Sequence, residues 1–267
     1  MQTPIAKINP WIPFMTLIHR EVKRFMKVII QTIVSPIISS SLYLLIFGVS
    51  LGSQVSLKSG IPYITFLIPG LMIMGLINNS FQNSSSSIVT SKFSGDLEDI
   101  RVAPISNNQI IWAMGIGGII RGTSVALITG IVGLTFHYFM TGELIPIQYP
   151  FLFVLFLVLN GLIFSFCGIF VAFLARTFDQ LSAFSTFILI PLTYLGGVFM
   201  SIEGLHPFWQ KACHLNPVFY LINGFRYSML GQSDVELMTT IAVSFLALAV
   251  TYSMAMYSLV KGSFARW

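Results

Sequence analysis

Charged side chains are scarce in this chain of 267 residues: Asp, Glu, Lys and Arg together make up 9% of it. Soluble domains carry about a quarter of their residues as charged side chains. Hydrophobic residues reach 55%, with a mean hydropathy of +0.84. A soluble core could not bury so many apolar side chains, whereas lipid solvates them. The composition excludes an ordinary soluble domain and predicts an all-α membrane protein. The net charge of +5 therefore indicates contact with anionic lipid headgroups rather than with nucleic acid.

Cysteine and histidine are also sparse. A disulfide between Cys167 and Cys213 is not expected, because one lies in a predicted span and the other in a predicted outside loop. The adjacent Cys213 and His214 do not by themselves predict a metal site. No paired carboxylates and no Ser-His-Asp arrangement emerge. No Gly-x-x-x-x-Gly-Lys-Ser/Thr phosphate loop is present. We predict no catalytic, cofactor or metal site in this chain.

Long apolar stretches are abundant. Six are near or above the ~20 residues that a helix needs to cross a bilayer. They lie at about 28–49, 61–81, 109–137, 151–175, 182–200 and 238–260. Pro36, Pro69 and Pro191 fall inside spans and are tolerated where neighbouring helices satisfy the freed carbonyls.

The basic residues are distributed unequally about these spans. With the N-terminus in the cytoplasm, ten flank the inside: Lys7, Arg20, Lys23, Arg24, Lys27, Lys92, Arg101, Arg176, Lys261 and Arg266. Three flank the outside: Lys58, Lys211 and Arg226. This positive-inside bias predicts six spans with both termini in the cytoplasm.

Residues 10–27 are predicted to form an amphipathic helix in the membrane surface. Apolar residues recur at helical spacing, with basic residues on the other face. The apolar set is Trp11, Phe14, Met15, Ile18, Val22, Phe25 and Met26. The alternative is an ordinary extension of the first span.

The largest inside connection, about 82–108, opens with polar residues and continues into an acidic segment. Asp96, Glu98 and Asp99 cluster where a short helix would begin, and Pro104 would end it. Leu97, Ile100 and Arg101 share one face of that helix, predicted at 95–103. A second inside turn at about 176–180 contains Asp179.

The outside region 201–237 is too broken by Pro207 and Pro217 to be a span and too apolar to be a solvated loop. Non-helical backbone at membrane depth requires burial in protein or a cavity wall. We predict two short helices that dip toward the membrane, with Phe208, Trp209, Phe219 and Tyr220 as interfacial anchors. A lone charge such as Arg226 needs a partner, and Glu203 is the nearest acid; Asp234 and Glu236 lie on the same side.

The order of these motifs resembles the ABC-2 type transporter permeases over essentially the whole chain, as a single transmembrane domain, 1–267. The resemblance rests on the 97–104 stretch, which matches Leu-Glu-x-x-x-x-x-Pro, on Pro191–Phe199 (PLTYLGGVF), on Pro-Phe-Trp-Gln at 207–210, on Leu-Asn-Pro at 215–217 and on Gly-Phe-Arg-Tyr at 224–227. Within the family the chain looks most like the YadH-type bacterial inner-membrane permeases, relatives of the nodulation-factor and daunorubicin permeases.

The resemblance implies an exporter subunit in the bacterial inner membrane, driven by two copies of a separate ABC-type ATPase that bind ATP and magnesium. It implies that Asp96, Leu97, Glu98, Asp99, Ile100 and Arg101 form a coupling helix, with Leu97 and Ile100 entering a cleft on the ATPase and Asp179 making a smaller contact. The re-entrant helices, with Glu203, Phe219 and Arg226, would close the outer end of the pathway. One chain would form half of the pathway, and a second copy, in a two-fold homodimer, the other half.

Two other classes of membrane protein are alternatives to this interpretation. An ion-coupled secondary transporter usually places ionisable residues at mid-membrane, and the predicted spans hold no acid there. An intramembrane lipid- or glycan-modifying enzyme would need a catalytic constellation that the sequence does not offer. Arg121 in the third span either reaches the cytoplasmic rim or a neighbouring helix, or else contacts the substrate.

Overall fold

The computed structural model describes residues 11–50, 52 and 60–262, apart from the side chain of Glu203. These residues form helices joined by turns, and no strand occurs among them. The elements are α1 (Trp11–Met26), α2 (Ile29–Tyr43) with a π-helical extension (Leu44–Ser50), α3 (Tyr63–Ser94), α4 (Asp96–Val102), α5 (Asn107–Thr141), α6 (Pro150–Leu174), α7 (Phe178–Phe184), a π-helical turn (Ser185–Leu189), α8 (Ile190–Leu195), a 3-10 turn (Ile202–Gly204), α9 (Pro207–Leu215), α10 (Pro217–Leu230) and α11 (Leu237–Lys261).

Five helices are long and apolar enough to cross a membrane: Ile29–Ser50, Tyr63–Ser94, Asn107–Thr141, Pro150–Leu174 and Leu237–Lys261. The predicted span at 182–200 corresponds to three short consecutive elements. These are α7 with seven residues, the π-helical turn with five and α8 with six. Pro191 explains the irregularity, because its ring clashes with the preceding turn and it cannot donate a backbone hydrogen bond. A sixth crossing therefore stays a prediction.

The long helix α3 forms the centre of the bundle. In its apolar part 78% of the residues are buried, against 22% for the first span and 11% for α11. α3 packs mainly against α5 and α6, and α11 packs against α6 and α10. The first span and α11 therefore leave most of their apolar surface for lipid or for another subunit.

α3 continues far beyond the predicted end of the second span. The sequence predicts helix 61–81 followed by a polar connection, but the helix runs unbroken to Ser94. Three serines of the predicted connection, Ser84, Ser85 and Ser87, are buried instead. Ser84 donates a hydrogen bond to the Met114 carbonyl at 3.3 Å, and Ser80, one turn earlier, donates to the Gly118 carbonyl at 3.1 Å. Small hydroxyls of this kind join closely packed membrane helices. The prediction of a loop beginning near residue 82 was wrong for this reason.

Glycines of α5 permit this close approach. A Cβ atom built on Gly118 would lie 2.0 Å from the Ser165 Oγ atom of α6, and one on Gly122 would lie 2.0 Å from the Ser80 Oγ atom of α3. A side chain at either position would displace a serine hydroxyl, and at Gly122 it would also lie 2.9 Å from the Leu76 carbonyl oxygen of α3. The two glycines therefore fix how closely α5 packs against α3 and α6.

The bundle has two chemically different ends. One end, called here the basic end, holds α1, α4, the turn between α6 and α7, and the end of α11. Its exposed cations are Lys23, Lys27, Arg101, Arg176 and Lys261. The opposite end, called the aromatic end, holds the connections 142–149, 196–216 and 231–236. Its exposed aromatic residues include Phe139, Tyr149, Tyr194, Phe208 and Trp209.

Candidate functional site

The acidic helix α4 lies at the basic end, where the sequence predicts the coupling helix. Gly95, with φ of 86°, turns the chain out of α3, and Ser94 donates a hydrogen bond to the Asp96 carboxylate at 2.7 Å. The first-turn acids complement the positive N-terminus of the helix. All three acids of this turn are exposed: Asp96, Glu98 and Asp99. Exposed Arg101 closes the last turn.

Leu97 and Ile100 do not face outward as the sequence-based hypothesis requires. Their side chains are only 1% and 9% exposed, because they pack into this chain's own core. They attach α4 to the bundle and are not available to enter a cleft on another protein. The apolar side chain that α4 does present is Val102, which is 86% exposed.

The second predicted contact, Asp179, lies at the same end of the molecule and is exposed. The Thr177 hydroxyl accepts a hydrogen bond from the Gln180 amide and begins α7. The ring of Phe178 stacks on that of Phe93 near the end of α3, with centroids 5.7 Å apart and planes 9° apart. This stack brings the start of α7 beside the end of α3, from which α4 continues.

A buried carboxylate joins α1 to the bundle. Glu21 is fully buried, and its oxygens lie 3.2 Å from Arg20 and 3.4 Å from Arg24. The Ser87 hydroxyl of α3 donates a hydrogen bond to the same carboxylate at 2.7 Å. The helix itself agrees with the prediction of 10–27 to within a residue at each end, but one strip of it, Leu17, Glu21 and Phe25, is buried in protein.

Arg24 faces the bundle rather than the polar surface that the periodicity predicts for it. Its guanidinium donates hydrogen bonds to the backbone and side-chain oxygens of Asn83 and, at 3.1 Å, to Ser86. Burial lowers the pKa of Arg24, and the neighbouring Glu21 opposes that effect. The hydrogen bonds of Arg24 to Asn83 and Ser86, together with that of Ser87 to Glu21, hold α1 against α3.

Arg121 of α5 lines a cavity of about 410 Å³ at the basic end, with Arg24 beside it. The cavity is enclosed by α1, the start of α2, α3, α5 and α7. Its other lining residues are Val28, Gln31, Phe81, Gln82, Ser85, Ser86, Phe178, Leu181, Ser182 and Ser185. Arg121 is partly buried and borders this cavity, and both alternatives for its role stay predictions.

Two further cavities continue from this one along α2. Val28 and Gln31 are shared with a groove of about 630 Å³ on the face of α2, and Ser35 and Ser39 are shared between that groove and a cavity of about 160 Å³. Gln31, Ser35 and Ser39 are four residues apart, so they form one exposed polar stripe on the helix. The innermost cavity adds polar residues of α2, α3 and α5: Ser40, Asn78, Asn79 and Thr129.

Arg226 of α10 is buried at the aromatic end, with 2% of its surface exposed. Its Nη2 atom donates a hydrogen bond of 2.6 Å to the Gly197 carbonyl, and its guanidinium lies 3.8 Å from the centroid of the Phe66 ring. The side chain of Glu203 is outside the described part of the structure, so the predicted Arg226–Glu203 pair stays a prediction. Asp234 accepts hydrogen bonds from Ser201 and from the Ile202 amide.

Two short helices, α9 and α10, occupy the region predicted at 201–237. Both begin with proline after an N-cap side chain, His206 and Asn216, and Asn216 also donates a hydrogen bond to the Leu192 carbonyl at 2.6 Å. Phe219 is fully buried and packs with Ile202 and Cys213. It is therefore a core residue of this end rather than the interfacial anchor predicted for it.

Aromatic contacts tie the end of the first span to this region. Phe199 contacts Tyr43, Phe47 and Tyr194, with ring centroids 5.1–5.5 Å apart. The Tyr63 hydroxyl donates a hydrogen bond of 2.6 Å to the Phe199 carbonyl. The connection after α8 is thus held to the end of the first span and to the start of α3.

Glu21 and the burial of Lys92 are the functional features that the sequence analysis missed. Glu21 falls at helical spacing between Leu17 and Phe25, so an acid on the apolar face of α1 is a signal that could have been used. Lys92 is 1% exposed and donates a hydrogen bond to the Ala172 carbonyl at 3.0 Å, in the last turn of α6. Nothing in the local sequence distinguishes it from a rim lysine.

Known proteins resemble this chain over most of its length. The family described as ABC-2 type transporter matches residues 13–230. The inner membrane transport permease YadH of Escherichia coli (strain K12) is 39% identical over 251 residues, which cover 94% of this chain and 95% of that protein. Nodulation protein J of Sinorhizobium fredii (strain NBRC 101917 / NGR234) is 24% identical over 234 residues, 85% of each chain. This chain belongs to the ABC-2 type transporter family.

Proposed function

We propose that this chain is the membrane-spanning subunit of an ATP-binding-cassette exporter, driven by a separate ATPase. The observation that carries the proposal is the exposed acidic helix α4 at the basic end, held on the bundle by Leu97 and Ile100. A short rigid helix with exposed acids and one exposed apolar residue, Val102, suits docking to another protein. ATP and magnesium are bound by that partner, of which two copies serve two permease chains.

The proposed setting is the inner membrane of a bacterium, which is the membrane named for the YadH relative. The stretch formed by α7, the π-helical turn and α8 supplies the sixth crossing, with both termini and the basic end in the cytoplasm. α1 lies at the cytoplasmic surface, bound to lipid on its exposed side and to the bundle through Glu21. α9 and α10 dip into the outer leaflet and close the pathway, with Arg226 and Phe219 inside that closure.

A second copy of the chain completes the pathway in this proposal. The polar stripe of α2, formed by Gln31, Ser35 and Ser39, is exposed in the single chain. Polar groups facing hydrocarbon are unfavourable, so a water-lined pathway or a neighbouring subunit should cover the stripe. A two-fold homodimer satisfies this requirement, and the cavities along α2 then line the route.

Reconstitution tests the function directly. The permease is co-expressed with candidate ABC-type ATPases from the same genome, and any complex that co-purifies is placed in vesicles. We expect co-purification and ATP hydrolysis that depends on both chains, whereas a permease whose α4 is replaced by a Gly-Ser linker of equal length should release the ATPase. Transport that needs a proton or sodium gradient but no nucleotide would instead identify an ion-coupled carrier. Chemical modification of an added lipid or glycan would identify an enzyme.

Thiol labelling tests the orientation. Asn107→Cys lies at the basic end and Leu144→Cys at the aromatic end, and both positions are exposed. A membrane-impermeant thiol reagent should label position 144 in intact cells and position 107 only after permeabilisation. The native Cys213 should contribute little background, because burial raises the pKa of its thiol. Labelling of position 107 in intact cells would reverse the proposed orientation.

A further inference from the structure

The cavity at Arg24 and Arg121 carries more positive charge than the described residues around it neutralise. Arg24 and Arg121 are close enough to repel one another, and Arg20 lies beside Arg24. Glu21 is the carboxylate that faces them, and it already binds Arg20, Arg24 and the Ser87 hydroxyl. Among the residues that the structure describes, no acid lines the cavity. Like charges held together in a partly buried site favour an added anion.

Hydrogen-bond donors in this cavity also lack acceptors. The Nε atoms of Arg24 and Arg121 are buried, and neither has a hydrogen-bond partner among the described residues. Buried donors are normally satisfied, and an unsatisfied guanidinium N–H is especially unfavourable. Ser182 and Ser185, on α7 and the π-helical turn, add hydroxyl groups to the lining. Donors from several helices therefore converge on one space.

The shape and chemistry of the space select among anions. Arginine forks pair with the oxygens of phosphate, and hydroxyls on other elements suit a tetrahedral group better than a planar carboxylate. The adjoining groove on α2 has exposed apolar residues, Ile30, Val34 and Ile38, between its polar ones. A charged headgroup in the cavity would contact the arginines, and a hydrocarbon tail in the groove would contact the apolar residues of α2.

We propose that the cavity between Arg24 and Arg121 binds the phosphate or phosphodiester headgroup of an anionic amphiphile whose tail lies along α2. Arg121 is the principal contact, because it makes no hydrogen bond to any residue that the structure describes, and Arg24 and the serine hydroxyls complete the site. This inference rests on the proposed export function and names the class of its substrate: a phosphate-bearing amphiphile that enters from the leaflet at the basic end.

Binding can be measured on the full-length permease alone, without ATPase or transport. The chain is placed in nanodiscs of phosphatidylcholine that contain a minor share of phosphatidylglycerol, and native mass spectrometry counts the anionic lipid retained by each chain. Arg121→Gln should reduce retention about tenfold or more, the expected loss of one charge-assisted contact. Arg121→Lys keeps the charge and should stay within about threefold of the wild type.

Lys23→Gln is the matched control, because Lys23 is an exposed cation next to Arg24 on the same helix. It removes the same charge and should leave retention unchanged. Arg121→Gln should also keep the wild-type melting temperature, since Arg121 has no hydrogen bond within the described part of the chain to lose. Retention by Arg121→Gln equal to that of the wild type, or an equal loss in Lys23→Gln, would overturn the proposal.

Competition with inorganic phosphate separates the two possible sources of the headgroup. Displacement of phosphatidylglycerol by millimolar phosphate shows that the cavity recognises phosphate itself, as in a phosphate monoester on a cargo. Resistance to phosphate shows recognition of the phosphodiester together with its lipid tail. If lipid is retained but ATP-driven transport fails, only the exporter proposal is refuted. If transport proceeds and Arg121→Gln binds normally, only this site is refuted.

Discussion

Arg226 and Arg121 are both arginines within the helical bundle, but their surroundings differ. Arg226 is closed in by a carbonyl at 2.6 Å and the face of a phenylalanine ring at 3.8 Å. Arg121 borders a cavity of about 410 Å³ and has a second arginine as its charged neighbour. The Nε atoms of both arginines, and Nη1 of Arg226, are buried without a hydrogen-bond partner among the described residues. The difference is that protein groups surround the guanidinium of Arg226, whereas Arg121 borders a space. We infer from this difference that Arg226 is structural and that Arg121 is available for binding.

The largest predicted effect is on the structural arginine. Arg226→Ala should lower the free energy of unfolding by about 3 kcal/mol, because it removes a buried hydrogen bond and a cation–π contact and leaves a void. Thermal melting of the detergent-solubilised chain measures the change, with Arg121→Ala as the matched control. Equal melting temperatures for the two alanine variants would remove the distinction drawn between these arginines.

Gly197→Ala tests the same contact from the backbone side. Gly197 has φ of +85°, and a Cβ atom there would lie 3.2 Å from the Met200 carbonyl oxygen. We expect a loss of about 1–2 kcal/mol, because the left-handed conformation that presents the Gly197 carbonyl to Arg226 is unfavourable for alanine. Gly142→Ala is the control, since Gly142 also has positive φ but meets nothing within 4 Å. An equal loss in both variants would mean that backbone strain alone accounts for the effect.

Arg121→Gln should affect transport more than stability. Its melting temperature should equal that of the wild type, while ATP-driven export at low cargo concentration should fall about tenfold, equivalent to about 1.4 kcal/mol. Arg121→Lys should recover most of the activity. Vesicles with a fixed amount of the permease–ATPase complex give the comparison. A lower melting temperature with unchanged export would place Arg121 with Arg226 as a structural residue.

The smallest predicted effect concerns the exposed surface at the basic end. Val102→Ala should weaken association with the ATPase by about 1 kcal/mol without altering the fold, because Val102 is exposed at the tip of α4. Leu97→Ala should instead lower stability by about 2–3 kcal/mol, because Leu97 is buried in the chain. Pull-down titration and melting curves, run on both variants, separate docking from packing. Unaltered association in Val102→Ala would move the contact to other residues of α4.

The sequence predicts the bounds of a helix well where the signals for it lie within the segment and agree with one another. The 95–103 helix is found at Asp96–Val102, because Gly95, three early acids and Pro104 all indicate the same short helix. The N-terminal helix is found at Trp11–Met26 because its periodicity is uninterrupted. In both cases the signal lies within the segment itself.

The errors arise where a partner helix decides the outcome. Serines at 84–87 indicate a loop locally, but α3 continues through them, with Ser84 buried beside Gly118 of α5 and Ser87 buried against Glu21 of α1. Leu97 and Ile100 look like anchors for another protein, yet their own core covers them. Arg24 belongs to the polar face of α1 by periodicity, but Glu21 and Asn83 draw it into the bundle. No pattern along one segment reports what packs against it.

α3 has a mechanical consequence at its basic end. It has 32 residues, or about 48 Å of continuous helix, from the aromatic end to Gly95 and α4. Lys92 lies two residues before the end of α3 and joins this helix to α6. Its amine donates a hydrogen bond to the Ala172 carbonyl and lies over the face of the Phe173 ring. A displacement of α4 would therefore move α3 and α6 together as one rigid unit. Movement would be absorbed in the less firmly packed first span and at the π-helical turn beside Pro191.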